Sequence, residues 1–264
     1  MKIAFWGPTP FAGRKSSNLL FMAVLSSFSG GEQLVIHADE KGSGPEHFLL
    51  SGRDRRRMMS KSEFGLELLD RMLRCERFDK SLVVNSSYSF AEGRVHVLPV
   101  GRADYFQREG THAIEVLGAI TDRAEREFQH VWIEAPAGND PLAAALCSMA
   151  DVVVINLAQS PWELSHMGEL RQYAHEVFLI GAYEKRSVFS GHNIAQLYPR
   201  MQGRCAVIPY QKEYLLACLR GKAEEYLYLL NPKKEAEGAH SFYQKAAVAL
   251  DLIERAGEER DVSE

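Results

Sequence analysis

Gly13-Arg14-Lys15-Ser16-Ser17 sets two cations beside two hydroxyls, at the end of a loop rich in Gly and Pro (Gly7 to Lys15, GPTPFAGRK). Such groups at the start of a helix can hold phosphate. Backbone N–H groups and the positive helix end attract the anion, a lysine pairs with the outer phosphates, and a hydroxyl coordinates Mg²⁺. The pattern G-x-x-x-x-G-K-[ST] is not met, because Arg14 stands where a glycine should precede the lysine. The competing reading is an ordinary β-loop-α turn with a solvated lysine. Two further clusters carry titratable groups: His37-Ala38-Asp39-Glu40 and Glu134-Ala135-Pro136-Ala137-Gly138. Each follows an apolar run, where open α/β sheets bind ligands. His37 could serve as a general base or be a hydrogen-bonded structural residue. The nine His form no H-E-x-x-H pattern, and Ser160-Pro161-Trp162 lacks a G-x-S-x-G elbow, which disfavours metalloenzyme and serine-hydrolase chemistry. Arg53 to Lys61 (RDRRRMMSK) is a strongly basic run, read either as a solvated face or as contact with an acidic partner.

Short apolar runs that read as strands lie at Met1 to Trp6, Gln33 to Ile36, Arg94 to Pro99, His130 to Ile133, Asp151 to Leu157, Val177 to Ile180 and Cys205 to Ile208. Helical spacing spans Ser16 to Ser27, Glu63 to Phe78, Thr111 to Gln129, Asn139 to Met149 and Lys212 to Leu230, with another helix starting at Ser160-Pro161. A final amphipathic helix covers about Phe242 to Glu254, and the acidic tail Glu258 to Glu264 reads as frayed. Ala182 to Arg200 has little periodicity. Strands alternating with helices about seven times predict an α/β three-layer sandwich with a mostly parallel, roughly seven-stranded sheet. No linker divides the chain, so residues 1–264 read as one domain with C-terminal helices over about 211–256.

With 264 residues, 46% hydrophobic and 25% charged, the chain has the composition of a globular protein with a sizeable core. A formal net charge of −4 argues against a mainly electrostatic nucleic-acid binder, and no apolar run approaches a membrane span. Cys75, Cys147, Cys205 and Cys218 are scattered, so they read as reduced and buried thiols of a cytoplasmic protein.

In order and spacing, the three strand ends resemble the ParA/MinD superfamily of deviant-Walker ATPases, a P-loop class, over roughly residues 1 to 221. Within it they resemble most the Flp-pilus localisation proteins called TadZ or CpaE. That family's K-G-G-x-G-K-[ST]-[ST] falls on Pro10-Phe11-Ala12-Gly13-Arg14-Lys15-Ser16-Ser17. The resemblance implies ATP with Mg²⁺ as ligands. It assigns phosphate binding to Gly13, Arg14, Lys15, Ser16 and Ser17, and the metal to Ser16 and Asp39. Of the family's D-x-D, the first position is His37 and the second is Asp39; its D-x-P-x-G falls on Glu134 to Gly138. Asp39 and Glu134 thereby become the candidate catalytic acids, Gly138 a γ-phosphate contact, and Pro209-Tyr210 a neighbour of the base. The family's signature lysine, which reaches across a dimer to the partner's nucleotide, falls on Pro10, so hydrolysis is expected to be weak or absent.

The resemblance further implies a homodimer with protein partners at a cell pole or in pilus or secretion machinery. It implies a cytoplasmic location, or one peripheral to the inner face of the membrane through partners. Without the signature lysine, the dimer is expected to rest on apolar surface, with Tyr183, Val188, Phe189 and Tyr198 as candidates. The terminal helix resembles the membrane-targeting tail of MinD-type proteins, but it lacks the Lys/Arg-rich face of interfacial helices and is expected to pack on the sheet. Two other readings stay open: an active partitioning ATPase, and an interaction module that has kept only the fold.

Overall fold

The computed structural model describes residues 1–10, 12–39, 44–51, 64–100, 105–165, 167, 170–230 and 240–261. Phe11 and the basic run Arg53 to Lys61 lie outside the described residues. Eight strands form one sheet: β1 (Lys2–Trp6), β2 (Gln33–His37), β3 (Tyr88–Phe90), β4 (Val95–Leu98), β5 (His130–Glu134), β6 (Val152–Leu157), β7 (Glu176–Tyr183) and β8 (Cys205–Pro209). Their order is β3-β4-β2-β5-β1-β6-β7-β8. All neighbours run parallel except the β3/β4 pair. The runs that read as strands are covered on both faces, the usual condition of parallel strands. Every residue of β2, β5 and β6 is buried.

One face of the sheet carries α1 (Lys15–Ser27), α2 (Glu46–Leu49), α10 (Lys212–Leu219), α11 (Ala223–Leu229) and α12 (His240–Asp261). The other carries α3 (Leu66–Arg74), α4 (Lys80–Asn85), α5 (Tyr105–Glu109), α6 (Thr111–Ala124), α7 (Pro141–Met149), α8 (Pro161–Ser165) and α9 (Gly191–Leu197). The result is three layers around two cores. On the α1 face, Phe21 stacks on Phe242 with ring centroids 4.7 Å apart, and Tyr214 and Tyr226 complete an aromatic cluster. Burial of one such ring contributes about 1.5–3 kcal/mol, so α12 is held to α1 and β8 by its apolar face. That face is Phe242, Ala246, Ala249 and Ile253, all buried, as its packing on the sheet requires.

The mostly parallel sheet of roughly seven strands is borne out with eight, while other expectations are corrected. Tyr88–Phe90 is too short to show a period, and it enters by hairpin pairing with β4 through a turn with Ala91 and Glu92 at positive φ. The run Lys212 to Leu230 is two helices, parted by a turn in which Gly221 has φ 70°. Ala182 to Arg200 is not a free aromatic surface: it contains α9, and Tyr183, Phe189 and Tyr198 are half-buried against the core. Val188 alone of the four stays open, at 77% exposed. Cys75 is exposed rather than buried. At the C-terminus, α12 runs on through Asp261, so the first part of the acidic tail is helical; residues 262–264 lie outside the described residues. No helix among the described residues is long and apolar enough to cross a membrane.

Candidate functional site

Parallel register brings the sequence-predicted groups together at the C-terminal edge of the sheet. His37 stands opposite Glu134 across β2 and β5, and Glu134 pairs with Phe5 of β1. Lys15, at the first position of α1, is 3% exposed. Its ammonium donates to Asp39 Oδ2 at 3.0 Å and to the Ala135 carbonyl, and lies 3.8 Å from Glu134 Oε1. Ser16 Oγ donates to Glu134 Oε1. Lys15, Ser16, Asp39 and Glu134 therefore form one cluster, buried except for the half-buried Ser16. An ammonium so far from water needs these partners, because a lone buried charge is costly. Burial pushes the Glu134 carboxyl up, while the charges of Lys15 and His37 and the Ser16 hydrogen bond act against it.

His37 proves to be a structural cation. Its Nδ1 faces Glu46 Oε1 at 3.0 Å and its Nε2 faces the Asp39 carbonyl at 2.7 Å. Both partners are acceptors, so both ring nitrogens carry protons. Burial alone would lower its pKa; the charge and hydrogen bond of Glu46, with the charge of Glu134, outweigh that and raise it to about 9. With both nitrogens engaged, His37 is not placed to accept a proton as a general base.

The loop before Lys15 is pinned. Asn18 Nδ2 donates to the Gly13 carbonyl at 2.7 Å and to Asn156 Oδ1 at 3.2 Å, which ties α1, the loop and β6. Gly13 has φ 50°, and a Cβ there would overlap the Leu157 carbonyl. Thr9 Oγ1 donates to Glu163 Oε1 at 2.9 Å on the other side. Arg14 also adopts the left-handed region (φ 62°, ψ 47°), which a side chain bears at a cost of order 1 kcal/mol.

A cleft of about 670 Å³ opens beside this cluster. Arg14, Lys15, Ser16, Ser17, Asp39, Pro209 and Tyr210 line it together. Gly13 and Glu134 lie behind that wall. Gly138 does not face the cleft: its N–H donates to the Gly7 carbonyl at 3.0 Å, and its own carbonyl accepts from Trp6 Nε1 at 3.0 Å. Sequence reasoning missed the far wall, where Phe48, Tyr214, Leu215, Cys218 and Phe242 make an apolar end. Tyr214 is fixed there by its hydroxyl, which donates to the Ser17 carbonyl at 2.8 Å. These residues read as ordinary core positions of amphipathic helices, so nothing in the sequence set them apart.

The donor set fits a hard cation. The Ser16 hydroxyl and the Asp39 carboxylate are oxygen ligands of the kind Mg²⁺ takes. Buried Glu134 Oε2 has no hydrogen-bond partner among the described residues, an acceptor that a metal-bound water would satisfy.

No protein-family profile matches the sequence, and no curated protein sequence matches it. Solved structures do match in fold. A ParA family ATPase from Chlorobium tepidum superposes with a TM-score of 0.68 at 15% identity, covering 97% of this chain and 98% of that one. A plasmid partition protein from Borrelia burgdorferi, bound to AMPPNP, gives 0.65 at 11% identity, covering 96% and 98%. The septum site-determining protein MinD of Pyrococcus horikoshii, complexed with Mg-ADP, gives 0.63 at 15% identity, covering 93% and 95%. Over nearly its whole length, the chain has the three-layer fold of the ParA/MinD-type P-loop ATPases.

Proposed function

We propose that this chain is a nucleotide-binding localisation or scaffold protein of the ParA/MinD type, related in role to the TadZ-like pilus proteins, with weak or absent ATP hydrolysis. The observation that carries this reading is the convergence of Lys15, Ser16 and Asp39 on the wall of one cleft at the C-terminal edge of a parallel sheet. In this reading the cleft takes ATP with its phosphates toward Lys15 and Ser16 and its base toward Tyr210 and Tyr214. Ser16 and Asp39 would hold Mg²⁺, which supplies charge neutralisation to the phosphates. Lys15 would exchange Asp39 for phosphate, and the Asp39 carboxylate would turn to the metal. Asp39 and Glu134 are the acids available to orient a water. Pro10 lines the cleft where a trans-acting lysine would otherwise act, which supports slow turnover. Partners at a cell pole or in pilus machinery are part of this proposal, as is a location in the cytoplasm or at the inner face of the membrane.

Calorimetric titration with ATP and Mg²⁺ tests the reading. Lys15→Ala is expected to abolish measurable binding. Because that change also removes the ammonium beside Asp39 and Glu134, the double variant Lys15→Ala/Asp39→Asn serves as the folded control and is expected not to bind either. Unchanged affinity in either variant refutes the nucleotide site. Pro10→Lys alone is expected not to raise turnover appreciably, since Arg14 and its neighbours still differ from the family's glycines.

A nucleotide-free module is the second reading, and one observation favours it: Lys15 is already fully compensated inside the protein. Absence of ATP binding by the wild type would select it.

Self-association is proposed to be independent of nucleotide, for want of the signature lysine. Val188, 77% exposed, is an apolar group available to it. Light scattering of nucleotide-stripped protein is expected to give the same mass with and without ATP and Mg²⁺; a monomer that pairs only with ATP refutes this.

A further inference from the structure

Arg14 occupies a glycine's conformation at the head of α1, where strain of this kind persists only if the surroundings impose it. Its guanidinium lies over the Tyr210 ring, 5.2 Å from the centroid. Among the described residues, three charged side chains line the cleft: Arg14, Lys15 and Asp39. Lys15 and Asp39 cancel one another at 3.0 Å. Arg14 makes no ion pair among the described residues, so of these three side chains it is the one whose charge is left for an incoming anion. Tyr210 is 42% exposed at the same mouth, with one ring face given to the guanidinium.

We propose that Arg14 and Tyr210 act as a paired receptor for a ligand that is anionic at one end and flat and aromatic at the other. Arg14 makes the dominant first contact with phosphate, and Tyr210, vacated by the guanidinium, stacks on the base. This rests on the nucleotide reading and deepens it, since it reverses the expected ranking of Arg14 and Lys15. A guanidinium suits the step, because its planar fork binds phosphate through two parallel hydrogen bonds and also rests on an aromatic face. Lys15 must first leave a buried carboxylate, whereas Arg14 leaves only a ring face at the cleft mouth, a contact of modest strength. Base stacking on Tyr210 replaces that contact with one of similar or greater strength.

The alternative is that Arg14 is a defect in a phosphate loop, and the two ideas predict opposite signs. Arg14→Gly removes the left-handed strain, so its Tm is expected to rise by about 2 °C, which also shows the variant folded. If Arg14 is a defect, ATP should then bind as well or better. If Arg14 is the anchor, ATP affinity falls about tenfold or more, the usual loss for a charge-assisted contact. Titrations with ATP and Mg²⁺ and with inorganic tripolyphosphate and Mg²⁺ complete the test. Arg14→Gly is expected to weaken both ligands, and Arg14→Lys to lie between it and the wild type. Tyr210→Ala is expected to weaken ATP several-fold and leave tripolyphosphate unchanged. Equal or tighter ATP binding by Arg14→Gly overturns the proposal, as does a Tyr210→Ala variant that treats the two ligands alike. Failure of the wild type to bind either ligand overturns the nucleotide reading instead, and this proposal with it.

Discussion

Gly181→Ala is expected to unseat the loop that carries Arg14 and Lys15. An alanine Cβ at this position in β7 would overlap the Gly13 carbonyl oxygen and sit 2.6 Å from Asn18 Nδ2. The obstructing atoms belong to backbone and to a side chain already held by two hydrogen bonds, so no flexible end can swing aside. The loop cannot retreat, because Gly13 is itself pressed on the Leu157 carbonyl at the end of β6. Overpacking a tight interior costs about 1–3 kcal/mol. Loss of the Asn18 hydrogen bonds, at roughly 1 kcal/mol each, adds to that. The expected result is an unfolding free energy in urea lower by about 3 kcal/mol or more, and loss of any ATP affinity. Gly118→Ala is the control: its Cβ meets only the Met149 sulfur at 3.3 Å, and alanine suits the interior of α6. Wild-type stability and binding in Gly181→Ala would show that the loop is not seated against β7.

That contact marks the boundary of what the sequence makes legible. Lys15, Ser16, Asp39 and Glu134 could be found because each is polar and follows an apolar run, and a parallel sheet collects such positions at one edge. The helices were legible where apolar residues recur at helical spacing, as in α6 and α12. Tyr88–Phe90 was not, because three residues carry no period. Gly181 was not, because its value lies in an approach between β7 and the loop that only the register of β6 and β7 creates. The same holds for Gly13, which stands at a variable position of the family pattern yet is the residue that the close contact requires. Arg14 looked like a departure from a glycine, and its left-handed conformation and its seat over Tyr210 depend on the fold. His37 looked like a lost acid of the D-x-D pattern. Its partner Glu46 lies beyond an intervening segment and bears no motif.

The His37–Glu46 pair sets the second large effect, on stability against pH. His37 is held at a pKa of about 9 against an ordinary 6.5. Burial opposes the proton, and Glu46 and Glu134 more than restore it. The folded state therefore binds the proton more tightly than the unfolded chain. The stabilisation is fully present below about pH 6.5, declines as pH rises through the window to about 9, and is lost above it. A shift of that size corresponds to roughly 3 kcal/mol. Glu46 is held well below the usual carboxylate range: burial would raise it, and the charge and hydrogen bond of His37 bring it down. Its share of the stability appears only above the ordinary carboxylate pKa and disappears as pH falls, so the pair is strongest between the two limits. His37→Gln is expected to lower the urea midpoint near neutrality and to flatten the alkaline decline. The loss should be large, because Glu46 is then left buried without its cation. Glu46→Gln is expected to flatten the same decline by returning His37 toward neutrality. The mechanical consequence reaches the cleft. His37 grips the Asp39 carbonyl with one nitrogen and α2 with the other, and α2 carries Phe48 to the cleft wall. Loss of the proton therefore loosens Asp39 and the apolar wall together, so ATP affinity should fall over the same pH window as stability. A wild-type stability profile that stays level from about pH 6.5 to about pH 9, or a His37→Gln profile as steep as the wild type, would show that His37 is not the charged clasp described.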